Sequence, residues 1–166
     1  MRKLALFIGI ISVLLGLNAC EEIQQELIGE YHYQVSGHVI LNGVRDLILE
    51  PEKGSMEIIK KDDTTLMLIF FAEDGNTYST NATIEEEGLV LDPFYKLLPI
   101  NYYTHESTLL SGTVSVLHEE NYQVVVYGMG QLYDDAIIFT LQYNGEELNN
   151  GTKLIGKNIT LIAKTK

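Results

Sequence analysis

From Leu27 onward the apolar and polar positions alternate with a period of two. Tyr31, Tyr33, Val35, Gly37, Val39 and Leu41 stand against Glu30, His32, Gln34, Ser36 and His38. Successive side chains of a strand point to opposite faces, so this pattern predicts a half-buried antiparallel strand. Ser55–Lys61 (SMEIIKK) and Thr64–Ala72 (TTLMLIFFA) follow, joined at Asp62-Asp63. The second of these is apolar enough to predict a central strand covered on both faces. Asp74-Gly75-Asn76 has the composition of a turn, and Thr77–Glu85 reads as the returning strand, with Tyr78, Thr80, Ala82 and Ile84 on one side. Gly88–Leu91 continues the meander.

Pro93 and Pro99 then interrupt the pattern. Proline cannot donate to a sheet ladder, which predicts a long irregular connection over Asp92–His105 (DPFYKLLPINYYTH), with room for one turn of helix. Its four rings, Phe94, Tyr95, Tyr102 and Tyr103, are expected to pack at a barrel end or to line a pocket mouth. Strands resume at Leu109–His118, Tyr122–Tyr133, Ala136–Tyr143 and Lys157–Lys164, with hairpin chemistry at Glu119-Glu120-Asn121, Asp134-Asp135 and Asn144-Gly145. Gly128 and Gly130 share one strand face, which predicts a bend, a bulge or the close approach of another backbone. No helix of three or more turns has a 3.6-residue pattern. The chain is therefore expected to be all-β, an antiparallel meander of about eight to ten strands closing into a β-barrel, with a two-sheet β-sandwich as the alternative.

Two segments carry a resemblance. Leu27-Ile28-Gly29-Glu30-Tyr31 opens the first strand with Gly-x-Tyr, and Gly128-Met129-Gly130-Gln131-Leu132 leads into Ala136-Ile137-Ile138-Phe139-Thr140. Together they resemble the small calycin-like (lipocalin-like) lipoproteins of Bacteroides-type bacteria, over the whole mature chain. Lipocalins open with Gly-x-Trp, whereas this chain has no Trp. The resemblance implies a calycin-like barrel.

The first twenty residues change the picture from a free domain to an exported one. Arg2 and Lys3 precede a continuous apolar run, Leu4 to Leu17, the pattern of a secretory signal. A membrane span needs roughly 20 apolar residues, so this run, closed by Asn18, Cys20, Glu21 and Glu22, reads as cleaved rather than spanning. Leu17-Asn18-Ala19-Cys20 resembles the lipobox of bacterial lipoproteins, although Asn18 departs from the usual residue at its place. That resemblance implies cleavage between Ala19 and Cys20, and a diacylglyceryl group on the Cys20 sulfur. A second acylation on the new α-amine would make the anchor effectively stable, because each buried CH₂ contributes about 0.8 kcal/mol. Residues 1–19 are thus expected to be a signal peptide, 20–26 the lipidated Cys and a short polar tether of low order, and 27–166 one all-β domain. Acidic residues directly after the Cys (EEIQQE) resemble surface-export signals of lipoproteins from Bacteroides-like bacteria; a plain soluble linker is the other reading. The expected location is the cell envelope, at the outer membrane, on its periplasmic face or at the cell surface.

Charge and chemistry narrow the function classes. Arg2 and Lys3 leave with the signal, so of 11 basic residues 9 remain against 23 acidic ones. This excess of negative charge opposes nucleic-acid binding and adhesion to anionic headgroups. Cys20 is the only cysteine, so the exported domain has no disulfide and no thiol chemistry. His32, His38, His105 and His118 have no metal-ligand spacing and are expected to face solvent, and neighbouring carboxylates such as Asp134-Asp135 fall in turns. The sequence therefore predicts no metal, no cofactor and no catalytic residue. The favoured reading is a membrane-anchored binding module for a small apolar or glycan ligand. The alternative is a protein-interaction, inhibitor or accessory lipoprotein, and an enzyme is disfavoured. The anchor is directly testable: Cys20→Ser is expected to move the folded domain from the membrane fraction to the soluble fraction, and a variant still membrane-bound after signal removal would place the anchor elsewhere.

Overall fold

The computed structural model describes residues 24–108 and 112–166. Ala19 and Cys20, on which the cleavage and lipidation expectations rest, lie outside the described residues. The described residues form nine strands: β1 (Gly29–Leu41), β2 (Arg45–Ile48), β3 (Glu52–Lys60), β4 (Thr65–Ala72), β5 (Thr77–Glu85), β6 (Gly88–Thr108), β7 (Gly112–Tyr133), β8 (Ala136–Glu147) and β9 (Lys153–Thr165). They pair antiparallel in the order β2-β1-β3-β4-β5-β6-β7-β8-β9, and β9 pairs back onto β1 from Tyr31↔Thr165 to Leu41↔Leu154. The hydrogen bonds thus run in a ring, so the meander is barrel-like and the sandwich alternative falls. β2 is a short flap beside the end of β1, pairing over His38–Leu41, while β3 takes the first half of the same edge.

Parity along each strand decides what enters the barrel. Tyr31, Tyr33, Val35, Val39 and Leu41 are buried on β1, as the alternation predicts, and they meet Met56, Ile58, Leu66, Leu68, Phe70, Val124, Phe139 and Leu161 in one core. The other parity points to solvent. Thr64–Ala72, expected to be covered on both faces, is covered on one: Leu66, Leu68 and Phe70 are buried, Met67 and Ile69 are half-buried, and Phe71 is exposed. A single-layered ring, with no helix packed outside it among the described residues, leaves that face to water. The turn between β3 and β4 is held by Asp62, whose carboxylate accepts the N–H of Thr64 at 3.0 Å and of Thr65 at 2.8 Å. The Thr64 N–H, with Thr65 behind it, holds that carboxyl below its ordinary range.

The prolines do not break the sheet where the sequence suggested. Asp92–His105, expected to be an irregular connection, lies wholly within β6. Pro93 is accommodated in a bulge, because the β6–β7 ladder slips between Leu91↔Gly128 and Phe94↔Val126, leaving Asp92 and Pro93 opposite Tyr127 alone. Pro99 lies on a part of β6 that has already left β5, so no second ladder asks for its missing N–H. Glu119-Glu120-Asn121 is not a joint either: β7 runs through it, paired with Pro99–Asn101. Asn144-Gly145 lies inside β8, beside a slip in the β8–β9 ladder. The turn comes later, where the Glu147 carboxylate takes the N–H groups of Asn149 and Asn150. Gln24 to Glu26, read as part of a tether, form one helical turn with Leu27; Gln24 is buried and donates from Nε2 to the Asp62 carbonyl at 2.8 Å.

Beyond the rim, β6 and β7 continue alone. β7 first meets β8 at Tyr122↔Glu147, and β5 last meets β6 at Ala82↔Leu91, so residues 99–108 and 112–121 form a two-stranded arm. At roughly 3.3 Å per residue it extends about 30 Å. The arm is braced at its base. The Arg45 guanidinium lies 4.4 Å above the Tyr102 ring, which stacks on His118 at 4.8 Å, and the Tyr102 hydroxyl donates to Glu120 at 3.0 Å. Strand direction sorts the connections into two poles. Gln24–Leu27, the turns at 61–64, 86–87 and 134–135, and the end of β9 occupy one; the turns at 42–44, 73–76 and 148–152 and the arm occupy the other.

Gly128 and Gly130 serve side chains more than backbone. A Cβ on Gly130 would meet the Phe139 ring at 2.5 Å, and one on Gly128 would meet the Leu141 side chain at 2.5 Å. The Phe139 ring occupies the space that the absent Cβ leaves. Gly130→Val is expected to cost about 1–3 kcal/mol by overpacking, read as a lower urea midpoint, and Phe139→Leu in the same chain to recover part of that loss.

Candidate binding cleft

β5 and β6 share a backbone ladder only from Ala82↔Leu91 to Glu85↔Gly88. Past the Asp92-Pro93 bulge the two strands separate, and side chains stitch the seam instead. Thr80 Oγ1 donates to the Asp92 carbonyl at 2.7 Å, and Asn81 Nδ2 to the Asp92 carboxylate at 2.9 Å. The separation opens a cleft of about 580 Å³ between residues 47–53, the β4–β5 turn and residues 95–101. That volume lies within the roughly 300–1,000 Å³ of small-molecule sites.

The cleft ends on a buried polar cluster. Lys96 occupies an inward position of β6 between Phe94 and Leu98, and its ammonium is paired with Glu52 at the start of β3. The other oxygen of Glu52 accepts from the Tyr33 hydroxyl at 3.1 Å and from the Tyr78 hydroxyl, and the two phenol oxygens lie 3.4 Å apart. Lys96 Nζ also stands 4.9 Å from the centre of the Tyr78 ring and 5.7 Å from that of Tyr143. Beneath them Phe70, Tyr78 and Phe94 stack with ring centres 4.9 to 6.2 Å apart, and Tyr33 meets Phe70 edge-on at 5.5 Å. Burial pushes the phenols of Tyr33, Tyr78 and Tyr143 above their ordinary value, and the negative charge of Glu52 adds to the shift. These hydroxyls therefore remain neutral hydrogen-bond donors. At the rim, Tyr95 is 67% exposed and Leu97 half-exposed, beside Leu47, Pro51 and the charged side chains Glu50, Lys53, Glu73 and Asp74.

The residues singled out from the sequence are divided by this geometry. Of the four rings, Phe94 packs into the stack and Tyr102 onto His118, while Tyr95 and Tyr103 face solvent. Tyr31 and Tyr33 point inward; Tyr127 and Met129 point out. Three of the four histidines have separate partners, and His32 is exposed. His38 meets Asp46 at 3.2 Å, His105 meets Ser115 at 3.0 Å, and His118 meets Thr104 at 2.8 Å. His118 is half-buried in its stack, where the sequence predicted a solvent-facing side chain. Among the described residues no group of three or more His, Cys, Asp or Glu could hold a metal ion, and no helix is long and apolar enough to cross a membrane. Glu52 and Lys96 went unnoticed in the sequence. The signal was present for Lys96, a charged residue at the inward parity of an otherwise apolar run, but it was masked by reading that run as irregular.

No protein family matches the sequence, and no curated protein is similar to it. Among solved structures the chain is similar to a redesigned β-barrel, at 14% identity and a TM-score of 0.37, over 86% of this chain and 94% of that one.

Two measurements check the cluster. Glu52→Ala leaves a buried ammonium without its carboxylate and is expected to cost about 3 kcal/mol. Lys96→Met combined with Glu52→Gln is expected to cost much less than the sum of the single changes, a non-additivity that chemical denaturation reads directly. The phenols also set an alkaline limit. Their folded-state pKa values lie above the unfolded value near 10, so unfolding releases protons once the pH passes about 10, and stability falls from there upward. Tyr78→Phe is expected to flatten that fall, seen in denaturation midpoints followed across the alkaline range.

Proposed function

We propose that the chain is a lipid-anchored envelope protein whose calycin-like barrel is a binding module for a small glycan, with no catalytic role. One observation carries the binding half: a barrel otherwise filled by a continuous core is parted at one seam, and the parting leads to a polar floor of Lys96, Glu52 and Tyr78. A purely apolar ligand would gain nothing from an ammonium, a carboxylate and a phenol. Sugar hydroxyls donate and accept at once, which suits a floor that offers both. Tyr95, projecting at the rim, supplies a flat face for a sugar ring. The anchoring half is supported by the lipobox residues Leu17, Ala19 and Cys20 and by the calycin-like motifs.

The test is a titration of the full chain in detergent with a panel of neutral oligosaccharides, and in parallel with the apolar dye N-phenyl-1-naphthylamine. Tyr95→Ala is expected to weaken oligosaccharide binding about tenfold, the worth of one aromatic contact of roughly 1.4 kcal/mol, whereas Tyr95→Phe stays near wild type. Saturable dye binding that no oligosaccharide displaces would overturn the glycan reading in favour of an apolar ligand.

A further inference from the structure

The charge of the cleft is unevenly layered. In the floor, Glu52 and Lys96 neutralise each other. At the rim stand the carboxylates of Glu50, Glu73 and Asp74 against the single ammonium of Lys53. Glu50 and Glu73 are exposed, and among the described residues their carboxylates enter no hydrogen bond or ion pair. Asp74, also at the rim, is tied to Asn76 at 2.8 and 2.9 Å. The whole chain, at −12, deepens the same potential.

The buried end of the cleft makes a second, independent demand. An ammonium carries three donors. One of those on Lys96 is taken by Glu52, and its other close neighbours are the faces of Tyr78 and Tyr143. Lys96, only 8% exposed, can therefore still donate to an oxygen that enters the cleft. The floor asks for a hydroxyl or carbonyl oxygen, the rim ring of Tyr95 for a sugar face, and the rim carboxylates for a positive charge. A uronic acid would satisfy the floor and be repelled at the rim.

We infer that the cleft selects amino sugars carrying a free protonated amine over their N-acetylated and acidic counterparts, with Glu50 and Glu73 as the selecting residues and Lys96 as the donor to a ring hydroxyl. The inference rests on the glycan reading above and names the sugar class. Because the rim is exposed, its attraction is screened over about 8 Å at physiological ionic strength, so the preference narrows as salt is added.

The experiment is calorimetric titration of the full chain in detergent with three probes: the glucosamine tetramer, the N-acetylglucosamine tetramer and the galacturonic acid tetramer. A pH of about 5 keeps the amine protonated, since the hydroxyl and acetal oxygens beside it hold such an amine below the peptide α-amino value near 8. Roughly tenfold tighter binding of the free amine than of the N-acetylated tetramer is expected, with the uronate weakest. In Glu50→Gln/Glu73→Gln the free-amine affinity should fall to that of the N-acetylated tetramer, which itself stays unchanged. Equal affinities in the unmodified chain, or a preference that survives the double substitution, would overturn the charge selection and leave the glycan reading standing. If none of the three tetramers binds, both are overturned.

Discussion

Closure of the sheet on itself is the constraint from which the rest of this structure follows. Once β9 pairs with β1, every inward side chain must share one interior, and every strand must keep its parity or disturb two neighbours. Phe139 and Leu141 fit because Gly130 and Gly128 make room opposite them. The same pressure explains where irregularity is tolerated. Slips occur beside Gly37 and Asn158 in the β1–β9 ladder, at Asp92-Pro93 in β6, and beside Asn144 in β8, each absorbing a mismatch that a closed ring cannot pass along.

The bulge at Asp92-Pro93 has the largest effect. It takes β6 away from β5 while leaving β6 and β7 paired, so one distortion opens the cleft without breaking the ring elsewhere. The ion pair of Lys96 with Glu52 depends on it too. Burying two charges is costly unless geometry and hydrogen bonds compensate, and here Tyr33, Tyr78 and the Tyr143 ring surround the pair where the cleft still reaches it. A polar cluster in a fully closed interior would have no such outlet.

Much of this fold is legible in the residue pattern. Alternation located β1 and β5 and identified the buried tyrosines of β1, because a half-buried strand leaves a period-two trace whatever surrounds it, while a continuous apolar run located β4. The long strands β6 and β7 were misread for local reasons: prolines and a run of acidic residues have turn chemistry, and only the absence of a second neighbouring strand makes them acceptable there. The cleft was legible to a lesser degree. Its aromatic members stood out as rings, but Glu52 and Lys96 meet across 44 positions of sequence, and no short-range pattern announces a pair brought together by closure.

Strand count has one more consequence. An up-and-down ring returns its last strand to the level where the first began, and Lys166 at the end of the chain donates to the Glu30 carbonyl at 3.2 Å. Both ends of the described barrel are therefore a single handle, and the cleft and arm lie at the opposite tip. Under the proposed anchoring upstream of Gln24, the base of the barrel is the end nearer the membrane and the opening is turned toward the medium. Whatever enters the cleft then arrives from the side facing away from that surface, and the arm, with its 30 Å of reach estimated at ~3.3 Å per residue, is the first part of the molecule that it meets.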